Sequence, residues 1–223
     1  MKIAMINASP RLMIRKQDTS ASYALLQDIR RQLRRDHVHD FEDLHIKTGQ
    51  VTDEIFRSLM TCEVWLISFP VYAGGLPSHL LTFMTGLQKK LTAEKEKETA
   101  FPEINVYAIG NGGLFEGNEA YPAFRMMALW CAASGISWCG GLGVGGGPAH
   151  TSQNVSQIAL GQRRSYARRL SDFAEAIAKG IPTLNTSCSP DMSRQGYVMR
   201  RNRHYRNAAR QNGVAASEIP QKG

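Results

Sequence analysis

A doubly wound α/β domain built on a parallel sheet is the fold class that the sequence predicts, on three observations. Apolar strand-like runs alternate with amphipathic helical stretches along residues 1–180, as parallel strands joined by crossover helices require. The run Val64-Trp65-Leu66-Ile67-Ser68-Phe69 is apolar without alternation, the pattern of a strand covered on both faces. A chain of 223 residues, 43% hydrophobic and 21% charged, is also long enough to bury a core without disulfides or a structural metal.

The elements follow in order. Ile3 to Ile6 is a short buried strand stopped by Asn7-Ala8-Ser9-Pro10. Thr19 or Ser20 can cap a helix in which Leu25, Leu26, Ile29 and Leu33 share one face while Arg30, Arg31, Arg34 and Arg35 point elsewhere. A second strand is expected around His39 to Ile46 and a helix from about Thr52 to Thr61. The third strand, Val64 to Phe69, leads to a helix over Leu76 to about Leu91, opened near Pro77. Ile104 to Ile109 reads as a fourth strand, Pro122 to Ser134 as a helix opened by its proline, and Ile136 to Leu142 as a fifth strand. Ile158, Tyr166, Leu170, Phe173 and Ile177 then keep helical spacing up to Gly180-Ile181-Pro182. The alternating charges of Ala93 to Glu98 read as solvated surface or a helix end.

Charge divides the chain unevenly. The formal net charge is +8, of which residues 1–180 hold +3 and residues 181–223 hold +5. Between Pro182 and Pro190 the composition is that of a linker. Beyond it Tyr197, Val198, Met199, Tyr205 and Ala209 interleave with Arg200, Arg201, Arg203, Arg206 and Arg210. A helix packing its apolar side on the body or on a partner subunit is the preferred reading, ahead of nucleic acid or an anionic membrane surface. The expected organisation is a domain over 1–180 and a basic helical extension over 181–223. No run approaches the roughly 18 apolar residues of a membrane helix, and Pro10 and Arg11 break the N-terminal apolar run, so the cytoplasm is the expected compartment. Cys62, Cys131, Cys139 and Cys188 are too scattered to suggest a disulfide framework or an iron–sulfur cluster, and no metal site is expected.

In open sheets of this class ligands bind beyond the carboxyl ends of the strands, so three loops matter most. The first carries Ser9-Pro10-Arg11 and then Thr19-Ser20-Ala21-Ser22 at a helix start. Hydroxyls, free amides and one arginine converge there, as phosphate binding without a metal needs, although the same serines also suit helix capping. No nucleoside-triphosphate loop motif occurs. The second loop, Pro70-Val71-Tyr72-Ala73-Gly74-Gly75-Leu76-Pro77, offers a flat aromatic face beside glycines that let amides approach a planar ring; a plain turn with a tyrosine plug is the alternative. The third, Gly110-Asn111-Gly112-Gly113-Leu114-Phe115-Glu116-Gly117, repeats that design.

Ile6-Asn7-Ala8-Ser9-Pro10-Arg11 with Ser20 and Ser22, Pro70 to Pro77, and Asn111-Gly112-Gly113 together resemble the flavodoxin-like NAD(P)H-dependent FMN reductases and related flavoproteins over about residues 1–180. The resemblance implies a five-stranded sheet of order 2-1-3-4-5, FMN as cofactor, and NADH or NADPH as electron donor. It further implies a small-molecule second acceptor and a homodimer whose partner completes the pocket. By the same resemblance Ser9, Arg11, Ser20 and Ser22 would hold the FMN phosphate. Pro70, Val71, Tyr72, Ala73 and Gly74, with Asn111, Gly112 and Gly113, would frame the isoalloxazine, Tyr72 lying against the ring or the substrate. The flavin carries the chemistry, so no catalytic side chain is expected. Ala8 stands where many relatives have glycine, and Leu12 to Asp18 lengthens the first loop. An electron carrier of the same fold is the first rival, disfavoured because such carriers are usually acidic; a regulatory or nucleic-acid-binding protein on the scaffold is the second.

Three further features have two readings each. Gly141-Leu142-Gly143-Val144-Gly145-Gly146 matches a dinucleotide-binding pattern but follows the last strand instead of the first, so a tight loop is expected. His150 could give a proton to a reduced substrate or simply lie at the surface. Arg163, Arg164, Arg168 and Arg169 could meet an NADPH 2′-phosphate or form a solvated helix face.

Overall fold

The computed structural model describes residues 1–10, 20–36, 39–97, 101–146, 164–190, 192–215 and 218. Its strands are β1 (Lys2–Asn7), β2 (Asp40–His45), β3 (Val64–Pro70), β4 (Asn105–Asn111), β5 (Ser137–Val144) and β6 (Thr186–Cys188). Its helices are α1 (Ala21–Asp36), α2 (Asp53–Met60), α3 (Ser78–Lys95), α4 (Tyr121–Ser134), α5 (Arg164–Lys179) and α6 (Arg194–Gln211), with a 3₁₀ turn at Gly117–Ala120. All strand pairs are parallel, in the order β2-β1-β3-β4-β5-β6.

The expected order of the first five strands is present, and the strand count is corrected from five to six. Thr186–Cys188 lies in the stretch whose composition reads as linker, yet it pairs with Leu142, Gly143 and Val144 of β5. Three polar-rich residues carry no periodic signal. Their backbone instead satisfies the edge of β5, which would otherwise be left open.

Side chains alternate across the sheet and build two cores. Ala4, Ile6, Trp65, Ile67, Phe69, Val106 and Ala108 pack beneath α2, α3 and α4. Ile3, Met5, Val64, Leu66, Tyr107 and Ile109 pack beneath α1 and α5. Ser20 caps α1 by accepting the Tyr23 N–H at 3.2 Å, and Thr52 caps α2 through Ile55 N–H at 3.2 Å. The buried Tyr166 hydroxyl of α5 donates to Asp28 of α1 at 2.9 Å, joining the two helices.

The Gly141 to Gly146 pattern is corrected as well, because Gly141 to Val144 are within β5 and form no loop there. Its alternate glycines face the 3₁₀ turn and α4. A Cβ at Gly141 would lie 2.7 Å from the Phe124 ring, at Gly143 2.1 Å from the Gly117 carbonyl oxygen, and at Gly145 2.1 Å from the Phe115 carbonyl oxygen. Glycine is needed there because backbone lies directly on backbone, and this seats the segment after β4 flat on the sheet.

The extension is attached at one end. Ser193 caps α6 by accepting the Gly196 N–H at 3.1 Å, and Tyr197 is the buried residue of the helix. From Val198 onward most side chains are exposed, so only the first turn packs on the body. No described helix is long and apolar enough to cross a membrane.

Candidate functional site

The carboxyl ends of β1, β3 and β4 converge under the first turn of α1. On that face the apolar rows Ile3, Met5 and Val64, Leu66 end in Asn7 and Ser68, which are register partners, and Tyr107, Ile109 ends in Asn111. Asn7, Ser9, Ser20, Ser22, Ser68 and Asn111 are all buried, a polar layer where hydrophobic packing would otherwise continue. Asn111 braces it, donating from Nδ2 to the Phe69 carbonyl at 2.8 Å and to Ser22 Oγ at 2.8 Å. Asn7 Oδ1 accepts the Ser9 N–H at 3.2 Å. Asn7 Nδ2 and Ser68 Oγ, in contrast, find no partner among the described residues. Buried polar atoms left unpaired cost about 1–3 kcal/mol each, so two in one register pair mark a place for polar atoms from beyond the described residues.

Two histidines that the sequence reading did not single out hold the first loop. His45, at the end of β2, donates from Nε2 to the Ser9 carbonyl at 3.0 Å, and His79, in the first turn of α3, donates to the Ala8 carbonyl at 3.2 Å. The Asn7 carbonyl accepts the Ile46 N–H at 2.9 Å. Three successive carbonyls are therefore engaged, which sets the course of the loop up to Pro10. Nothing local in the sequence links residues 36 and 71 positions away to this loop.

The second loop is a tight finger. Tyr72 and Gly75 exchange backbone hydrogen bonds of 3.2 and 2.9 Å around Ala73 (φ 50°) and Gly74 (φ 77°). Two positive φ angles in succession define the mirror-image turn that favours glycine at both places. Ala73 is the one described non-glycine residue with positive φ, a conformation costing roughly 1 kcal/mol. Val71 is buried and its N–H donates to the Asn111 carbonyl at 2.8 Å, tying the finger to β4. Pro70 is half-buried at the end of β3, while Tyr72 is 55% exposed and stands free at the tip.

The third loop is clamped from several sides. The Gly112 N–H donates to the Val144 carbonyl at 2.9 Å, and a Cβ on Gly112 would lie 2.2 Å from the Glu119 carboxylate. That carboxylate accepts the Leu114 N–H at 3.3 Å. The Gly113 carbonyl accepts the Tyr197 hydroxyl at 2.6 Å, Phe115 and Tyr197 rings lie 5.6 Å apart, and Glu116 pairs with Arg194 at 3.4 Å. The extension thus touches a loop of the site, a contact with no sequence signal. Burial pushes the Tyr197 phenol above its ordinary range, against the opposing effect of Arg201.

Of the residues singled out from sequence, Ser9, Ser20, Ser22 and Asn111 come together in the polar layer, and Pro70 to Gly74 and Gly112 to Gly113 border it from the neighbouring strand ends. Arg11, Thr19, His150, Arg163 and the side chain of Arg164 lie outside the described residues, whereas Arg168 and Arg169 are exposed on α5. The groove between α1 and α5, lined by Gln32, Leu33, Ala174 and Ala178, lies in the later turns of both helices, away from these loops. The four cysteines are free and buried, and burial raises the thiols of Cys62, Cys131 and Cys139, which disfavours a nucleophilic role.

No protein-family model and no curated protein sequence matches the chain. Solved structures do. An NADH:FMN oxidoreductase in its apo form superposes with a TM-score of 0.54 at 12% identity, over 82% of this chain and 90% of that one. A flavone reductase superposes with a TM-score of 0.51 at 10% identity, over 82% of this chain and 66% of that one. With strands ordered 2-1-3-4-5 and a sixth added at the edge, the chain has the flavodoxin-like α/β fold that these oxidoreductases share.

Proposed function

We propose that the protein is an FMN-dependent NAD(P)H oxidoreductase that passes electrons from a nicotinamide to a small second acceptor such as a quinone or a free flavin. The observation that carries this reading is the buried polar layer at the carboxyl ends of β1, β3 and β4, with Asn7 Nδ2 and Ser68 Oγ unpaired among the described residues beneath the start of α1. Bound FMN would supply hydride acceptance and onward electron transfer. The chain's own part is binding and orientation. Ser9, Ser20 and Ser22, with Arg11, would hold the phosphate where helix amides and dipole favour an anion. His45 and His79 hold the loop that carries Ser9. Pro70 to Gly74 and Asn111 to Gly113 would frame the ring, with the rigid finger presenting Tyr72 to the ring or the acceptor.

On this reading residues 1–180 are the flavin-binding unit, 181–223 an extension, and the cytoplasm, where reduced nicotinamides are abundant, the setting. The surface also supports a homodimer. The outer face of α4 exposes Tyr121, Met126 and Leu129 around Arg125, and Pro122 lies 3.6 Å from where a Cβ on Gly74 would stand. A largely apolar face that adjoins the finger suits a second copy that closes the pocket.

The purified protein is expected to be yellow, or to become so with added FMN, and to release FMN on denaturation. Anaerobic addition of NADH or NADPH should bleach the flavin within a turnover time, and an acceptor should restore it. Absence of binding even to added FMN would sink the reading; bound flavin indifferent to both nicotinamides would leave an electron carrier instead.

A further inference from the structure

Helix α6 leaves most of its surface without a partner in the chain. Between Arg194 and Gln211 it holds six arginines, no lysine and no acidic residue. Arg194 pairs with Glu116, and Arg201 stacks on Tyr205 with 4.7 Å to the ring centroid. Arg200, Arg203, Arg206 and Arg210 are exposed and make no ion pair among the described residues. At 100° per residue these four fall within an arc of about 120° and span about 15 Å along the axis. Their arc lies on the side of the helix away from Ala208, which falls within about 20° of the direction of the buried Tyr197.

We propose that this arginine row is a binding site for the phosphate backbone of a polynucleotide. Along one strand of a duplex, with one phosphate per roughly 3.4 Å of axis, about four charges lie over that length, one for each free guanidinium. Arginine in place of lysine suits the site, since its planar fork holds phosphate oxygens in pairs. Asn202, His204 and Asn207, also exposed, add hydrogen-bonding groups beside the row. Two other occupants fit less well. Insertion into an anionic bilayer needs a broad apolar stripe, whereas exposed Met199 falls among the arginines, about 100° from Val198. A second copy carries the same net charge of +8, which opposes its approach to a cationic row.

The test uses the full chain and a variant with Arg200→Ala, Arg203→Ala, Arg206→Ala and Arg210→Ala. Alanine is the strongest helix former, so α6 is kept, which circular dichroism will verify. Binding is read by fluorescence anisotropy of a labelled oligonucleotide duplex of about 20 base pairs. The wild type should bind, and its affinity should fall about 150-fold between about 50 and 200 mM salt, the slope expected for four phosphates on a duplex. The variant should lose at least about tenfold in affinity at low salt. Its behaviour toward FMN should stay that of the wild type. No binding at low salt, equal binding by the variant, or stronger capture by phosphatidylglycerol vesicles than by the oligonucleotide would each overturn the proposal. So would dissociation of a dimer by the four substitutions, which would assign the row to a second copy. The flavin reading stands or falls on a separate measurement.

Discussion

Asn111 donates both amide protons inside the protein, and what it braces are the three strand ends of the candidate site. Asn111→Ala would leave the Phe69 carbonyl and the Ser22 hydroxyl without that donor. The expected loss is about 1–3 kcal/mol in urea unfolding, with weaker FMN binding in a direct titration. Tyr197 acts at the third loop by a different chemistry, since its phenol donates to Gly113 only while protonated. Its folded pKa is raised by burial above the unfolded value near 10, so its contribution is complete below that pH and is lost as pH rises through the folded value. Phenolate absorbance should therefore show Tyr107, which burial also raises, and Tyr197 among the late-titrating tyrosines. Tyr197→Phe should remove one of them and cost about 0.5–1.5 kcal/mol at neutral pH.

Strand β5 shows at the scale of elements why a pattern can mislead. Its alternate glycines have the look of a phosphate loop, but their places are set by the 3₁₀ turn that lies on them. Gly143→Ala would put a methyl 2.1 Å from the Gly117 carbonyl oxygen, a backbone atom that cannot swing aside. A loss of roughly 1–3 kcal/mol in thermal or chemical unfolding is expected. Gly75→Ala, whose Cβ would meet only the Tyr72 carbonyl oxygen at 3.4 Å, should cost clearly less. Were the two equally destabilising, close packing on β5 would not be the reason for its glycines.

At the scale of the whole molecule, the described residues present a largely apolar outer face on α4, a candidate site and a strongly basic arm. Leu129 on α4 is 65% exposed although the helix interior is well packed. Leu129→Glu places a charge in the face assigned to a second copy and should convert a dimer to a monomer in light scattering, with the fold unchanged by circular dichroism. A protein already monomeric at micromolar concentration would refute the dimer. The basic arm takes most of the net charge, and it meets the body at Tyr197 and Arg194, beside the third loop.

Alternation of apolar and amphipathic stretches was legible because helix and strand periods are local properties. It sufficed for five strands, the helices between them and the position of three loops at the strand ends. Ser20 as a cap and the buried run of β3 could be read in the same way. The sixth strand could not, since three polar-rich residues owe their pairing to the open edge of β5 and not to their own preference. Nor could the partners of Asn111, His45 and His79, which lie 36 to 89 positions away along the chain. Which residues line the loops is written in the sequence; which carbonyl, hydroxyl or tail helix each one meets is decided only when distant segments pack, because a hydrogen bond depends on a few ångströms of tertiary placement.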